Sequence, residues 1–145
     1  MQFNPCMKHK LIRDSARHFA ETELAPIAAE IDKNAIFPVN VIDKMKKLNY
    51  FGLQVPKEFG GAALDSISAA IVVEEISRVC AAVGLCVTVH NGVAVFPFLQ
   101  FGNKKQNEKY LPKLASGEMI GAFSLTEANA GSDAGSVETT AVKEG

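Results

Sequence analysis

The sequence predicts a mainly α-helical domain over residues 1–117, followed over 118–145 by the opening strands of an incomplete β unit. Three observations carry that reading. Apolar residues recur at three- and four-residue steps through most of the first 117 positions. Capping and breaking residues punctuate them at helix-like intervals. After Gly117 the pattern changes to short apolar and β-branched stretches, "MIGAFSL" and "VETTAV", which read as strands. Two strands alone make a marginal sheet, so the β part reads as unfinished.

Residues 8–31 carry Ile12, Ala16, Phe19, Ala20, Leu24, Ile27 and Ile31 on one helical face, with Pro26 placed to kink or restart the helix. Pro38 suits the first turn of a short helix with Ile42, Met45 and Leu48 inward, which Gly52 would end. "LQVPKEFGGAALD" reads as a loop. Asp65 or Ser66 can cap the next helix, through "ISAAIVVEEISRV", on which Glu74 and Arg78 are spaced as a surface pair. Glu74 and Glu75 together read as a solvated face. Further helix runs to about Phe101, with breaks near Gly84, Gly92 and Pro97. Asn103 and Gln106 have the spacing of a capping box, opening a last helix with a bend at Pro112 and a stop at Gly117.

Lys plus Arg total 15 and Asp plus Glu 16, so no electrostatic argument points to nucleic acid. The three cysteines, Cys6, Cys80 and Cys86, have no zinc-site spacing. Cys80 and Cys86 lie in apolar surroundings and read as buried thiols of a reducing compartment. "MQFNPCMKHK" has no apolar signal core. Residues 79–103 carry no formal charge, but Thr88, His90, Asn91, Pro97 and Gln100 favour a buried central helix over a membrane span.

"FSLTEANAGSD", residues 123–133, is the most site-like stretch. Small residues let a ligand approach the backbone, and successive N–H groups in a turn can nest an anion such as a pyrophosphate. The competing reading is an ordinary turn in which Ser132 and Asp133 bond their own backbone. Neither a P-loop nor a dinucleotide fingerprint is present. Glu127 has no evident acid–base partner, and His90 reads as a hydrogen-bonded core residue. His9 and His18 fall on or near the polar face of the first helix.

Taken together, the segments resemble the acyl-CoA dehydrogenase family, most closely its short-chain, butyryl-CoA branch. "FAETELAPIAAEIDKNAIFP" is similar to the family's first helix and exit, and "VPKEFGGAALD" to the loop before its third helix. "VVEEISRVCAAVG" resembles its Glu-Glu-Ile-Ser-Arg helix, "FGNKKQNEKYLPKLASGE" the connection into the β domain, and "FSLTEANAGSD" the flavin-binding signature. The implied fold is an N-terminal helical domain (1–117) and the start of a middle β domain (118–145), with a further helical domain beyond them.

The resemblance implies FAD-dependent oxidation of an acyl-CoA thioester to the trans-2-enoyl-CoA, with electrons passed to an electron-transfer flavoprotein by a homo-tetramer. Phe123, Ser124, Leu125, Thr126, Gly131 and Ser132 would contact FAD, with the Thr126 hydroxyl toward the flavin N1/O2 side, where charge develops on reduction. Ser132 would also lie near the bound acyl-CoA, and Glu127 and Asp133 would support the loop. Val89, Val93 and Phe96 would wall the acyl pocket, as against ordinary helix packing. Ala128 stands where the family commonly has proline, and Ser124 where it has Ala, Gly or Cys. The glutamate base is expected outside this sequence, so the chain reads as a fragment that does not dehydrogenate by itself. A non-catalytic helical interaction module is the alternative. The expected location is cytoplasmic, or the mitochondrial matrix for a mature eukaryotic form.

Overall fold

A computed structural model describes residues 6–144. Residues 1–5, which open the stretch read as lacking a signal core, and Gly145 lie outside the described residues.

Helix α1 (Met7–Phe19) continues through a π-helical turn (Ala20–Leu24) and breaks at 25–27 before α2 (Ala28–Asn34). The break falls at Pro26, which has no N–H and crowds the carbonyl four residues back. Helix α3 (Val39–Lys47) starts one residue later than expected, with Pro38 as its cap, and its end differs too. The chain reverses at Asn49, whose φ is 60°, a left-handed conformation that asparagine tolerates. Gly52 lies beyond that reversal and serves packing: a Cβ there would come 2.9 Å from the Ala115 Cβ.

The loop that follows folds back on itself. Leu64 N–H donates to the Leu53 carbonyl at 2.7 Å and Ala62 N–H to that of Gly52 at 2.8 Å. Asp65 then caps α4 (Ser66–Val79), its carboxylate accepting from the Ser68 N–H at 2.8 Å. Helix α4 packs on α1 and buries Ser68, Ile71, Val72, Glu75 and Ile76.

That packing overturns two expectations. Glu75 is 1% exposed and receives Arg13, Arg17 and Arg78, so it is no solvated residue. Glu74 pairs with Arg13 at 2.9 Å rather than with Arg78, which reaches Glu75 at 3.3 Å and Glu21 at 2.8 Å. The arginines of α1 face the acidic stripe of α4, and this cross-helix arrangement displaces the local i,i+4 pair.

Helix α5 (Ala81–Val89), a π-helical segment (His90–Val95) and α6 (Phe96–Phe101) form one apolar run of 21 residues. The run is long and apolar enough to cross a membrane by length and composition. Its centre, however, is tied by side-chain bonds to three other segments, described below. The break expected at Gly84 is absent; the chain turns at Cys80, in extended conformation, before α5 begins. The run is also less buried than expected, because only one face packs inward. Val83, Val87, His90 and Val95 are buried, whereas Leu85, Val93, Phe96 and Phe101 are exposed.

Helix α7 (Lys104–Ala115) has a full capping box, with Gln106 N–H to Asn103 Oδ1 at 3.0 Å and Asn103 N–H to Gln106 Oε1 at 2.8 Å. Pro112 sits inside it, and Gly117, at φ +73°, closes it. The two expected strands do not form among the described residues. One isolated antiparallel bridge, Glu127–Ala130, is present. Each stretch would need a neighbouring strand to satisfy its backbone. Instead the first is tied to a histidine side chain, and the second to the carboxylate of Glu127.

The main core joins Phe19 and Leu24, Ile42 and Met45, Phe51 and Leu53, Val72 and Ile76, and Val83 and Val87. A smaller cluster, Val55, Val95, Leu111, Leu114 and Ala115, seats α7.

Candidate functional site

The site begins from a buried histidine. His90 is 0% exposed and stacks edge-on against Phe51, with ring centroids 5.1 Å apart. Its Nδ1 accepts from the Gly121 N–H at 3.0 Å, so Nε2 carries the proton and donates to the Leu114 carbonyl at 3.1 Å. Burial holds the imidazole below its usual pKa, in the neutral form this pair of bonds requires. The core-residue reading of His90 is thus borne out, and its role is to join the π segment, the end of α7 and the start of the candidate flavin loop.

Asn91 does the same for another loop. Its Nδ2 donates to the Tyr50 carbonyl at 2.9 Å and to that of Val87 at 3.0 Å, while Oδ1 accepts from Leu53 N–H at 3.1 Å. The π-helical turn at 90–95 allows both adjacent side chains to leave the helix toward separate partners; such turns gather at functional positions. Gly121 meets this turn closely: a Cβ there would lie 2.4 Å from the Ala94 Cβ.

Beyond Gly121 the chain is irregular and exposed. Phe123 is 52% and Leu125 43% exposed. Among the described residues, the backbone N–H groups of 122–126 donate to no protein group. The chain then reverses over Ala128 and Asn129, where Glu127 N–H donates to the Ala130 carbonyl at 2.9 Å. Glu127 Oε2 accepts from Glu138 N–H at 2.8 Å, and Oε1 from Thr139 N–H at 3.1 Å and from the Thr139 hydroxyl. These donors, the Thr139 hydroxyl foremost, hold Glu127 below the usual carboxylate range, so it is a clamp rather than a base. Asp133 accepts from Gly135 N–H at 3.2 Å and from the Ser136 hydroxyl, stabilising the short 3₁₀ turn Ala134–Ser136. The own-backbone turn reading therefore holds for Asp133. It does not hold for Ser132, whose hydroxyl, like that of Thr126, makes no protein bond among the described residues.

Phe123, Ser124, Leu125, Thr126, Gly131 and Ser132 all lie on one exposed loop. Val89, Val93 and Phe96 follow one another at steps of four and three along α5, the π segment and the start of α6. Val89 is half-buried, Val93 is 37% and Phe96 46% exposed, so packing among the described residues covers part of each and leaves the rest open. The residues present fit a flavin in kind: unpaired backbone donors for a ring edge, two hydroxyls, and exposed apolar side chains for a ring face.

Sequence reasoning missed the reach of Asn91 and the burial of Glu75. For Glu75 a signal existed: it continues the buried stripe 68, 71, 72, 76 at helical spacing.

The helical unit thus hands on, past Gly121, to an exposed loop whose backbone donors are unpaired among the described residues. Residues 7–118 match the model for the acyl-CoA dehydrogenase N-terminal domain. The chain belongs to the acyl-CoA dehydrogenase family. An acyl-CoA dehydrogenase of Bacillus subtilis is 47% identical over 94% of this chain and 35% of its own length. A short-chain specific acyl-CoA dehydrogenase of Clostridium acetobutylicum is 43% identical over 100% of this chain and 38% of its own. The solved electron transferring flavoprotein of Acidaminococcus fermentans includes a chain that matches at TM-score 0.93 and 40% identity, covering 100% of this chain and 38% of that one. An acyl-CoA dehydrogenase from Bacillus anthracis complexed with FAD matches at TM-score 0.83 and 34% identity, over 90% and 22% respectively. This chain thus spans little more than a third of the length of the curated relatives it matches.

Proposed function

We propose that this chain supplies the helical domain and the first half of the flavin site of an FAD-dependent dehydrogenase of short acyl-CoA thioesters. The observation that carries the proposal is the exposed run 122–126, with backbone donors free among the described residues, hung from the buried His90 by its bond to Gly121. FAD, when bound, would accept the hydride lost from the acyl chain. The chain's own part is binding and orientation. Thr126 offers its hydroxyl, and the backbone at Leu125 and Thr126 offers N–H donors, where negative charge develops on reduction. Ser132 and Gly131 lie on the turn suited to the pyrophosphate. Val89, Val93 and Phe96 would line the acyl side, where the bulk of Phe96 favours short chains.

Neither Glu127 nor Asp133 is available to abstract a proton, since both are engaged by backbone and hydroxyl donors. The base belongs to a part of the enzyme beyond these residues. An electron-transfer flavoprotein as acceptor and a homo-tetrameric assembly complete the reading, with the cytoplasm or mitochondrial matrix as its location.

The test uses the protein translated from the complete reading frame that contains this segment. It should purify yellow, and butyryl-CoA should bleach its flavin absorbance under anaerobic conditions. A folded, colourless protein, or a flavin that no acyl-CoA bleaches, would sink the proposal. The 145-residue chain alone should bleach no flavin.

A further inference from the structure

A second cluster of reactive side chains lies far along the sequence from the candidate flavin loop, where the start of α1 meets the start of α4. Cys6 Sγ stands 3.4 Å from His9 Nδ1, and His9 Nε2 stands 3.2 Å from Asp65 Oδ1. Lys8 Nζ holds the other carboxylate oxygen of Asp65 at 2.9 Å. Lys8, first among several donors, and the Ser68 N–H keep Asp65 ionised well below the usual carboxylate range. An ionised Asp65 can only accept, so His9 Nε2–H donates to it. That leaves His9 Nδ1 with its lone pair toward the Cys6 thiol. Nucleophile, base and orienting carboxylate stand in line, the arrangement that activates a thiol.

The other two cysteines lack it. Cys80 is buried, and Cys86 is half-buried with its thiol pushed up by burial. Cys6 is exposed and His9 retains 13% of its side-chain exposure, so the pair is accessible and partly shielded.

We propose that Cys6, His9 and Asp65 form a thiol-modification site at which Cys6 exchanges with low-molecular-weight disulfides. His9 Nδ1 takes the thiol proton, and the Cys6 sulfur attacks one sulfur of the disulfide. The S–S bond breaks and a Cys6 mixed disulfide forms. The departing thiolate takes the proton back from His9. Cys6 is oxidised, the leaving sulfur is reduced, and no further reagent is needed. The site is independent of the flavin reading.

The experiment uses the 145-residue chain with 5,5′-dithiobis(2-nitrobenzoate) for rates and oxidised glutathione for mapping by peptide mass spectrometry. Cys6 should carry the first glutathione. His9→Gln should slow the fast phase at pH 7 by about tenfold, because a free thiol is only a few per cent ionised there. The two rates should converge at pH 10, where hydroxide replaces His9 as the base. Asp65→Asn keeps a good helix cap but removes the charge behind His9. It should slow the reaction about threefold, and it decides the matter if His9→Gln does not fold. Lys8→Met should leave His9 dependence in place. Equal rates at pH 7 for wild type and the folded variants, or glutathione first at Cys86, would overturn the proposal.

Discussion

His90 Nδ1 lies 3.0 Å from the backbone nitrogen of Gly121, and this one half-buried bond sets where the candidate flavin loop leaves the helical core. Replacing His90 with leucine leaves the half-buried Gly121 N–H without its partner, whereas the Leu114 carbonyl keeps the Gly117 N–H at 3.0 Å. The expected loss is about 1 to 2 kcal/mol, the cost of one unsatisfied backbone group that is partly buried. Urea denaturation would measure it, and amide exchange should rise first at Gly121 and Ser116–Gly117. Gly121→Ala should act similarly, since its Cβ would meet Ala94. Unchanged exchange in both variants would refute the anchoring role.

The same residue predicts a pH dependence. Burial lowers the His90 pKa in the folded state, while the unfolded chain takes up a proton near the ordinary value of about 6.5. Below that pH the unfolded state therefore binds more protons than the folded one, and stability falls as pH falls. The decline should begin near pH 6.5, before the carboxylates titrate, with a slope of up to about 1.4 kcal/mol per pH unit. A stability profile flat from pH 7 to 5 would contradict it.

Glu75 and its arginines give an ordering of variants. Arg13→Met with Arg17→Met removes two partners from a carboxylate that is 1% exposed, and should cost about 3 kcal/mol. Glu75→Gln leaves guanidinium groups that are each about a third to a half exposed and able to reach water, so it should cost nearer 1 kcal/mol. Denaturation midpoints in the reverse order would show that the network is solvated after all. Arg17, the largest influence, holds the Glu75 carboxyl below its ordinary value. Its contribution is therefore present above about pH 4.5 and lost on further acidification.

The capping box of α7 offers a local test. Asn103→Ala should destabilise by about 1 kcal/mol, and Asn103→Ser by much less. Thermal melts separate the two; equal effects would mean that the fold, not the cap, starts this helix.

Phe96→Gly addresses the acyl pocket. In the complete flavoenzyme, it should extend the accepted acyl chain and lower kcat/KM for butyryl-CoA relative to hexanoyl-CoA by about tenfold, the scale of a few methylenes in a pocket. An unchanged chain-length profile would assign Phe96 to another surface.

Much of this was legible in the residue order because it is local. Helical periodicity, the Asp65 and Asn103 caps, the break at Pro26 and the stop at Gly117 depend on a few neighbouring residues. The family signature at 123–133 was likewise readable as a pattern of types and spacing. What the pattern did not contain was direction across the fold. Glu75 looked solvated beside Glu74 until α1 placed two arginines over it. The two β-like stretches had strand composition, but a strand needs partners, and here their polar groups go to His90 and Glu127.

Sequence alone determined the helices, their caps and the kinship of the chain. Tertiary packing decided which polar groups were buried and therefore had to be satisfied. His90 could have paired with anything within reach. Only the fold brought it to Leu114 and Gly121, 24 and 31 residues away, because a buried imidazole is costly until both ring nitrogens have a partner.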